Sequence, residues 1–344
     1  MFGFSPRPPA TARDYTACTG CSLCFLVCPM WRASRNPRFT PEGMAKALQC
    51  GATAADLAAP LDACSLCGAC DPACPEGIDL PGMIMDLRLR LANSQPPHVP
   101  RPAVLEDLLA RLQCAPGTAP AGVPRTAPLL LPGPDLRGDS ALLARVQALL
   151  GLTLAEDDGT DIALALEAGV EIPPARLQRF LDSLRGHSMV AEDGLLLRQL
   201  RRWLPGSQRM GLGAALGTRP AVRSNIAATD LYVIEARALH ADYERMVAYY
   251  DRLQLDTGCG LSLDLQRIAI PATARGLAQK LGLAAGDDTT QAQWMLQGRK
   301  PTRIVVESLA DRAALELVSE LPVVHLAELG EDPEMMKKFR HAFG

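Results

Sequence analysis

Two stretches of this 344-residue chain repeat one arrangement of cysteines. The first is Cys18-Thr-Gly-Cys21-Ser-Leu-Cys24-Phe-Leu-Val-Cys28-Pro29. The second is Cys64-Ser-Leu-Cys67-Gly-Ala-Cys70-Asp-Pro-Ala-Cys74-Pro75. In each, the thiols are separated by two, two and three residues, and a proline follows the fourth. That spacing holds a [4Fe–4S] cubane on thiolates. Three closely spaced cysteines wrap one face of a cubane, so the fourth ligand has to arrive from elsewhere. Rival chemistries fit poorly. Zinc sites are built from C-x2-C pairs rather than from repeated quartets. A disulfide framework needs an oxidising compartment, and nothing in the sequence points to export.

In two-cluster ferredoxins the fourth ligand comes from the other run. The expected sets are therefore Cys18, Cys21, Cys24 and Cys74 for one [4Fe–4S] cluster, and Cys64, Cys67, Cys70 and Cys28 for a second. Pro29 and Pro75 hold the crossing cysteines extended and turn the chain away. Two cubanes and no other chemistry in the run imply electron transfer.

The elements that position these cysteines read as helices. Thr40-Pro41-Glu42 is a cap with proline at the first helical position, and Gly51 is a stop. Thr53 is expected to cap a short helix ending near Asp62. Asp79-Leu80-Pro81 opens a helix to about Leu91, with Ile84, Leu87 and Leu91 on one face. Residues 1–95 thus form an α-helical ferredoxin domain with an insert of about 35 residues between the runs. Residues 94–134 hold ten prolines, which makes 96–127 a stiff linker, with Ala103 to Gln113 as one short helix.

Residues 128–344 alternate short apolar strands and helices, an α/β pattern. Strands are expected at Leu129–Leu131, Leu231–Ile234, Ile304–Val306 and Val323–Val324. Helices are expected at Ser140–Gly151, Pro174–Leu184, Leu195–Leu204, His240–Leu253 and Asp311–Leu321, and Asp161–Leu166 is ambiguous. The fold class is therefore α+β and multi-domain.

Hydrophobic residues make up 48% of the chain and aromatic ones only 4%, so aliphatic side chains must fill the core. A net charge of −3 predicts no strong attraction to nucleic acid or anionic membrane. No apolar stretch approaches the roughly 18 residues of a membrane span, and the N-terminus lacks an apolar signal core. The expected location is the cytoplasm, or the inner face of a membrane through a partner.

Residues 1–95, above all Leu61-Asp62-Ala63-Cys64 through Cys74-Pro75-Glu76-Gly77-Ile78-Asp79, resemble a family of iron–sulfur proteins that serve larger oxidoreductases. It includes the C and D subunits of heterodisulfide reductase, the C subunit of the anaerobic glycerol-3-phosphate dehydrogenase, and the iron–sulfur subunits of glycolate and lactate oxidases. Members often carry two cysteine-rich CCG repeats after the ferredoxin domain, and residues 128–344 look like such a pair without the cysteines, in halves of about 128–220 and 221–344. Leu131-Pro132-Gly133-Pro134 stands where the family reads P-G-C. Glu156-Asp157-Asp158-Gly159, followed by Gly169, stands where it reads C-C-G. Glu235 to His240 resembles D-P-C-H, Arg303 to Ser308 the strand before C-P-x-C, and Leu321 to Leu329 the closing strand and helix. Only Cys114 and Cys259 remain beyond residue 95, too few to ligate a noncubane cluster.

The resemblance implies an electron-transfer subunit of an oxidoreductase, with a flavoprotein dehydrogenase or other oxidoreductase subunit as its redox partner and no catalytic residues of its own. The alternative is a structural or assembly subunit whose clusters staple the fold. Cys50 reads as a small buried residue and Cys259 as an inert thiol. His240 and His325 read as hydrogen-bonded structural histidines. Arg198, Arg201 and Arg202, beside Trp203, read as a solvated face, or as a dock for an acidic partner. Gly211-Leu-Gly213 is too short for a dinucleotide loop.

Overall fold

A computed structural model describes residues 13–93, 127–263, 268–273, 275–281 and 289–330, with five positions between 107 and 113. The expected helix at Ala103 to Gln113, the linker and Cys114 lie largely or wholly outside these residues. Of that helix, Leu108 and Leu112 are described, and both are buried against Ala165.

The cysteine-bearing region is helical: α1 (Leu23–Val27), α2 (Pro29–Ser34), α3 (Pro41–Gln49), α4 (Ala58–Ala63), α5 (Cys70–Ala73) and α6 (Leu80–Ala92). The α3 start follows the sequence, because the Thr40 hydroxyl accepts the Gly43 N–H at 3.0 Å. Asp79 caps α6 in the same way, accepting the Gly82 N–H at 3.0 Å. Thr53 does not cap a helix. Its hydroxyl and N–H both donate to Asp56, closing a turn, and α4 starts later, at Ala58, with no side-chain cap. Met44, Leu57, Leu61, Ile84 and Leu87 form the core between α3, α4 and α6.

Among the described residues, eight short strands make two parallel sheets. The first has β1 (Leu129–Leu131), β2 (Thr153–Leu154), β3 (Met189–Ala191) and β4 (Arg209–Gly211) in the order β2-β1-β3-β4. The second has β5 (Asp230–Val233), β6 (Gly260–Leu261), β7 (Arg303–Val306) and β8 (Val323–His325) in the order β6-β5-β7-β8. Strand for strand, the topology is the same. Side chains alternate between faces, as the pleat requires. Leu130, Tyr232, Ile234 and Val305 enter a core shared by both sheets. Leu129, Leu131, Met189 and Ala191 face one outer core, and Leu231, Val233, Ile304 and Val306 the other. The helices Ser140–Leu150, Leu212–Gly217 and Tyr243–Thr257 contribute to the shared core.

The expected helix from His240 is two helices, Ala236–Ala241 and Tyr243–Thr257, broken where Asp242 takes φ −147° and ψ 58°. The helix Leu309–Glu316 stops short of Leu321. The ambiguous segment at 161–166 lies in a helix, Thr160–Ala168.

The repeat extends to the carboxyl ends of the strands. Leu131 pairs with Ala191, and Val233 with Val306. One residue beyond β3, Glu192 accepts the N–H of Gly133 at 2.6 Å; one residue beyond β7, Glu307 accepts the N–H of Glu235 at 2.9 Å. Each glutamate thus bridges the two central strands at the point where the strand order reverses, the switch point of a doubly wound sheet.

Candidate metal centre

The two cysteine runs adopt one backbone. The first cysteines have near-identical angles, Cys18 at φ −66°, ψ 116° and Cys64 at φ −65°, ψ 126°. The fourth do too, Cys28 at φ −82°, ψ 117° and Cys74 at φ −81°, ψ 112°. On either side of the second cysteine the chain turns left-handed: Gly20 and Ser22 in the first run, Leu66 and Gly68 in the second. Only one position of each pair is glycine. Ser22 and Leu66 hold that conformation against a steric cost, which the surrounding contacts must offset.

The short helices α1 and α5 occupy matching places and pack together. Their pairing brings each fourth cysteine to the opposite run. Cys28 shares one cavity with Cys64, Cys67 and Cys70, walled by Met44 and Ile84. Cys74 is buried with Cys24, Ile78 and Leu80, and Cys18 and Cys70 pack at the edge of that group. Cys21 is exposed.

Peptide N–H groups point at the sulfurs. Leu66 N–H donates to Cys64 Sγ at 3.5 Å. The peptide groups of Glu42 near Cys24, of Trp31 and Met30 near Cys28, and of Ala69 near Cys67 favour the ionised thiolates. Burial pushes the Cys24 and Cys28 thiols up to about 12, so neither ionises at neutral pH without a cation. Bound metal supplies that cation and deprotonates a coordinating thiol. Among the described residues, no three His, Cys, Asp or Glu side chains converge as they would around a single metal ion. Thiols spread round a cavity suit a larger body, and the donor set fits a cubane.

The surroundings of the two runs differ. Lys46 donates to the Cys18 carbonyl at 2.7 Å, and Glu42 accepts the Ser22 N–H at 2.5 Å. The second run is gripped by two arginines, Arg88 buried and Arg237 partly so. Arg88 donates to the carbonyls of Leu61, Cys64 and Glu167, with Nη2 to Cys64 at 2.6 Å. Arg237 donates to the Ser65 carbonyl at 2.6 Å and grips the Glu167 carboxylate at 2.6 and 3.2 Å. Lys280 holds the same carboxylate at 2.5 Å. Burial pushes the Glu167 pKa up, but Arg237 and Lys280 outweigh it and hold the carboxyl below its ordinary range. A Cβ on Gly169 would lie 2.4 Å from the Arg88 backbone, so the helix Thr160–Ala168 ends hard against α6.

On the basic helix Gly194–Trp203, Arg201 and Arg202 are exposed as a solvated face requires, but Arg198 is largely covered and all three arginines are paired within the chain. Arg198 pairs with Asp71 at 2.8 Å and Asp79 at 2.9 Å, Arg202 pairs with Asp79, and Arg201 pairs with Asp242 at 2.9 Å. The acidic partner of this face belongs to the same chain. Cys50 is exposed, because it sits at the α3 C-cap beside the Gly51 turn rather than on the apolar face. Cys259 is fully buried. His240 Nε2 meets the Ala269 carbonyl at 2.8 Å, and His325 Nε2 the Glu307 carbonyl at 3.2 Å. Burial lowers both histidines to about 4, so they are neutral at physiological pH.

Sequence reading missed Arg88, Glu167, Arg237, Lys280, Glu192 and Glu307. Arg88 carried a signal, since it shares a helix face with Ile84, Leu87 and Leu91 at helical spacing. The others lie in distant segments that only the fold brings together.

Residues 14–78 match the family described as a 4Fe-4S dicluster domain. No curated protein and no solved structure matches the chain. The match supports 4Fe–4S clusters in residues 14–78, and the dicluster description agrees with a count of two. No helix among the described residues is long and apolar enough to cross a membrane.

Proposed function

We propose that the chain relays single electrons between a flavoprotein dehydrogenase and an acceptor, as a subunit of an oxidoreductase of the heterodisulfide reductase-like kind. When bound, the two clusters supply one-electron redox chemistry. The observation that carries the reading is the pair of runs with one backbone, set at different depths. Cys18, Cys21, Cys24 and Cys74 are assigned to one cluster, and Cys64, Cys67, Cys70 and Cys28 to the other. The support for the second set is the cavity that those four cysteines line.

The first run faces outward. Cys21 is exposed, and Leu23 and Leu26 beside it are 43% and 64% exposed. They are two of the four large apolar side chains exposed among the described residues, so this face is assigned as the electron port to the flavoprotein. The residues of the inner run exclude water and fix the ligand loop. The region 128–344 is read as two CCG-like halves. The support is the matching strand order and the matching glutamate bridges. With no cysteines at the family's positions, these halves serve as a scaffold, and the chain sits in the cytoplasm or at the inner membrane face through its partner.

Anaerobic affinity purification of the full chain, with iron, sulfide and flavin quantified, tests the relay. About eight irons per chain, both clusters reversibly reducible, and a co-eluting flavoprotein are expected. Full iron without reversible reduction would replace the relay with the assembly role.

A further inference from the structure

The geometry points to Arg237 as the residue that sets the reduction potential of the cluster held by the second run, acting through a single peptide group. The inference rests on the ligand assignment above and adds a control on potential exerted from outside the ferredoxin domain. Arg237 Nη2 donates to the Ser65 carbonyl at 2.6 Å. That carbonyl and the Leu66 N–H are two ends of one peptide, and the Leu66 N–H donates to Cys64 Sγ at 3.5 Å. A guanidinium drawing on the oxygen polarises the peptide and makes its N–H a stronger donor. A stronger N–H···S bond favours the form carrying the extra electron, which raises the potential. The one added electron comes from the relay's reductant, and no bond in the protein forms or breaks.

The arrangement is built to stay in place. Glu167 grips Arg237 at 2.6 and 3.2 Å, and Lys280 holds Glu167 from its other side. Asp193 lies 3.9 Å from the same guanidinium. Leu66 keeps φ at 52°, the strained conformation that the loop needs at this point.

The first run is an internal control. Both runs have a cation on the carbonyl of their first cysteine, Lys46 on Cys18 and Arg88 on Cys64. The counterpart of Ser65 is Thr19, and among the described residues no cation holds the Thr19 carbonyl. Arg237 on the Ser65 carbonyl is therefore one difference between two loops of matching backbone. It belongs to the helix Ala236–Ala241, which follows β5 in the second sheet. Glu167 belongs to the helix Thr160–Ala168, in the region of the first sheet. Both halves of the α/β region thus act on one cluster.

Potentiometric titration of the anaerobically purified full chain, with dithionite as reductant and followed by electron paramagnetic resonance, tests this. In the Arg237→Gln/Glu167→Gln protein, which removes both charges together, one of the two potentials is expected to fall and the other to stay. Arg237→Lys keeps the pairing with Glu167 but loses the fork, and should give a smaller fall of the same potential. It is the deciding variant if the double substitution does not fold. Full iron content with both potentials unchanged would overturn the inference, as would an equal fall of both, which marks general loosening. Absence of clusters from the unsubstituted protein would instead overturn the relay reading.

Discussion

The two cysteine runs share a backbone and almost nothing else. Each has left-handed residues on both sides of its second cysteine, a short helix before its fourth, and a cation on the carbonyl of its first. Around that common frame, the first run keeps Cys21 exposed, with Lys46 and Glu42 as its charged neighbours. The second is enclosed by α6 and both halves of the α/β region, through Arg88, Arg237 and the ion pairs of Arg198. The frame is what a cubane needs, so both runs have it. The surroundings are free to diverge, and they are where potential and access are set.

The frame is tested most severely at the crossing cysteines. In Cys28→Ser, the cluster assigned to the second run should be lost or converted while the first survives, leaving about four irons per chain. In Cys74→Ser, the loss should fall on the other cluster. Spectra that show each substitution removing the cluster of its own run would break the crossed assignment.

A smaller effect separates the surroundings. Gly20 and Gly68 both have positive φ, +81° and +82°, so alanine costs about 1–2 kcal/mol at either site from backbone strain. The space around them differs. A Cβ on Gly20 would lie 3.1 Å from Lys46 Cε, the far end of a flexible side chain, whereas on Gly68 it would lie 2.8 Å from the Cβ of buried His240. Overpacking there adds about 1–3 kcal/mol. Thermal unfolding of the cluster-loaded chain should show Gly68→Ala clearly less stable than Gly20→Ala. Equal losses would mean that the second run is no more tightly enclosed than the first.

The cysteine frame was legible because ligand geometry demands a fixed spacing, and the caps at Thr40 and Asp79 because they act within one turn. The helix Pro174–Leu184 was legible from its proline start and its periodicity. The strands β2, β3, β4 and β6 were not. Two or three residues such as Arg209-Met210-Gly211 carry no alternation to read, and their pairing is decided by neighbours distant in sequence. The break at Asp242 has no proline or glycine to mark it. The arginines at 198, 201 and 202 announced an amphipathic helix, but a single sequence does not show what faces it. The enclosure of the second run was hidden for the same reason. Arg237 and Ser65 are 172 residues apart.

The two sheets repeat the lesson of the two runs, and pH separates them by a smaller margin. Glu192 and Glu307 make the same bridge to a backbone N–H, and burial raises both carboxyls from 4.5 to about 7. Glu307 also accepts hydrogen bonds from Tyr232 at 2.7 Å and from Tyr250 at 2.7 and 2.9 Å, and Gly213 packs so close that a Cβ would overlap its carboxylate. A carboxyl whose pKa is raised on folding binds its proton more tightly in the folded state than in the unfolded one. Its contribution is therefore fully present below about pH 4.5 and is lost as pH rises through about 7. Denaturant unfolding of the full chain should show stability falling across that window, with a shallower fall in both Glu192→Gln and Glu307→Gln. Glutamine keeps the acceptor for the backbone N–H but offers one oxygen where Glu307 uses two. Glu307→Gln should therefore lose stability at pH 5, where Glu192→Gln is close to neutral. An unchanged pH slope in both variants would show that these carboxyls ionise as freely in the folded chain as in the unfolded one, and that the shared bridge is a matter of geometry alone.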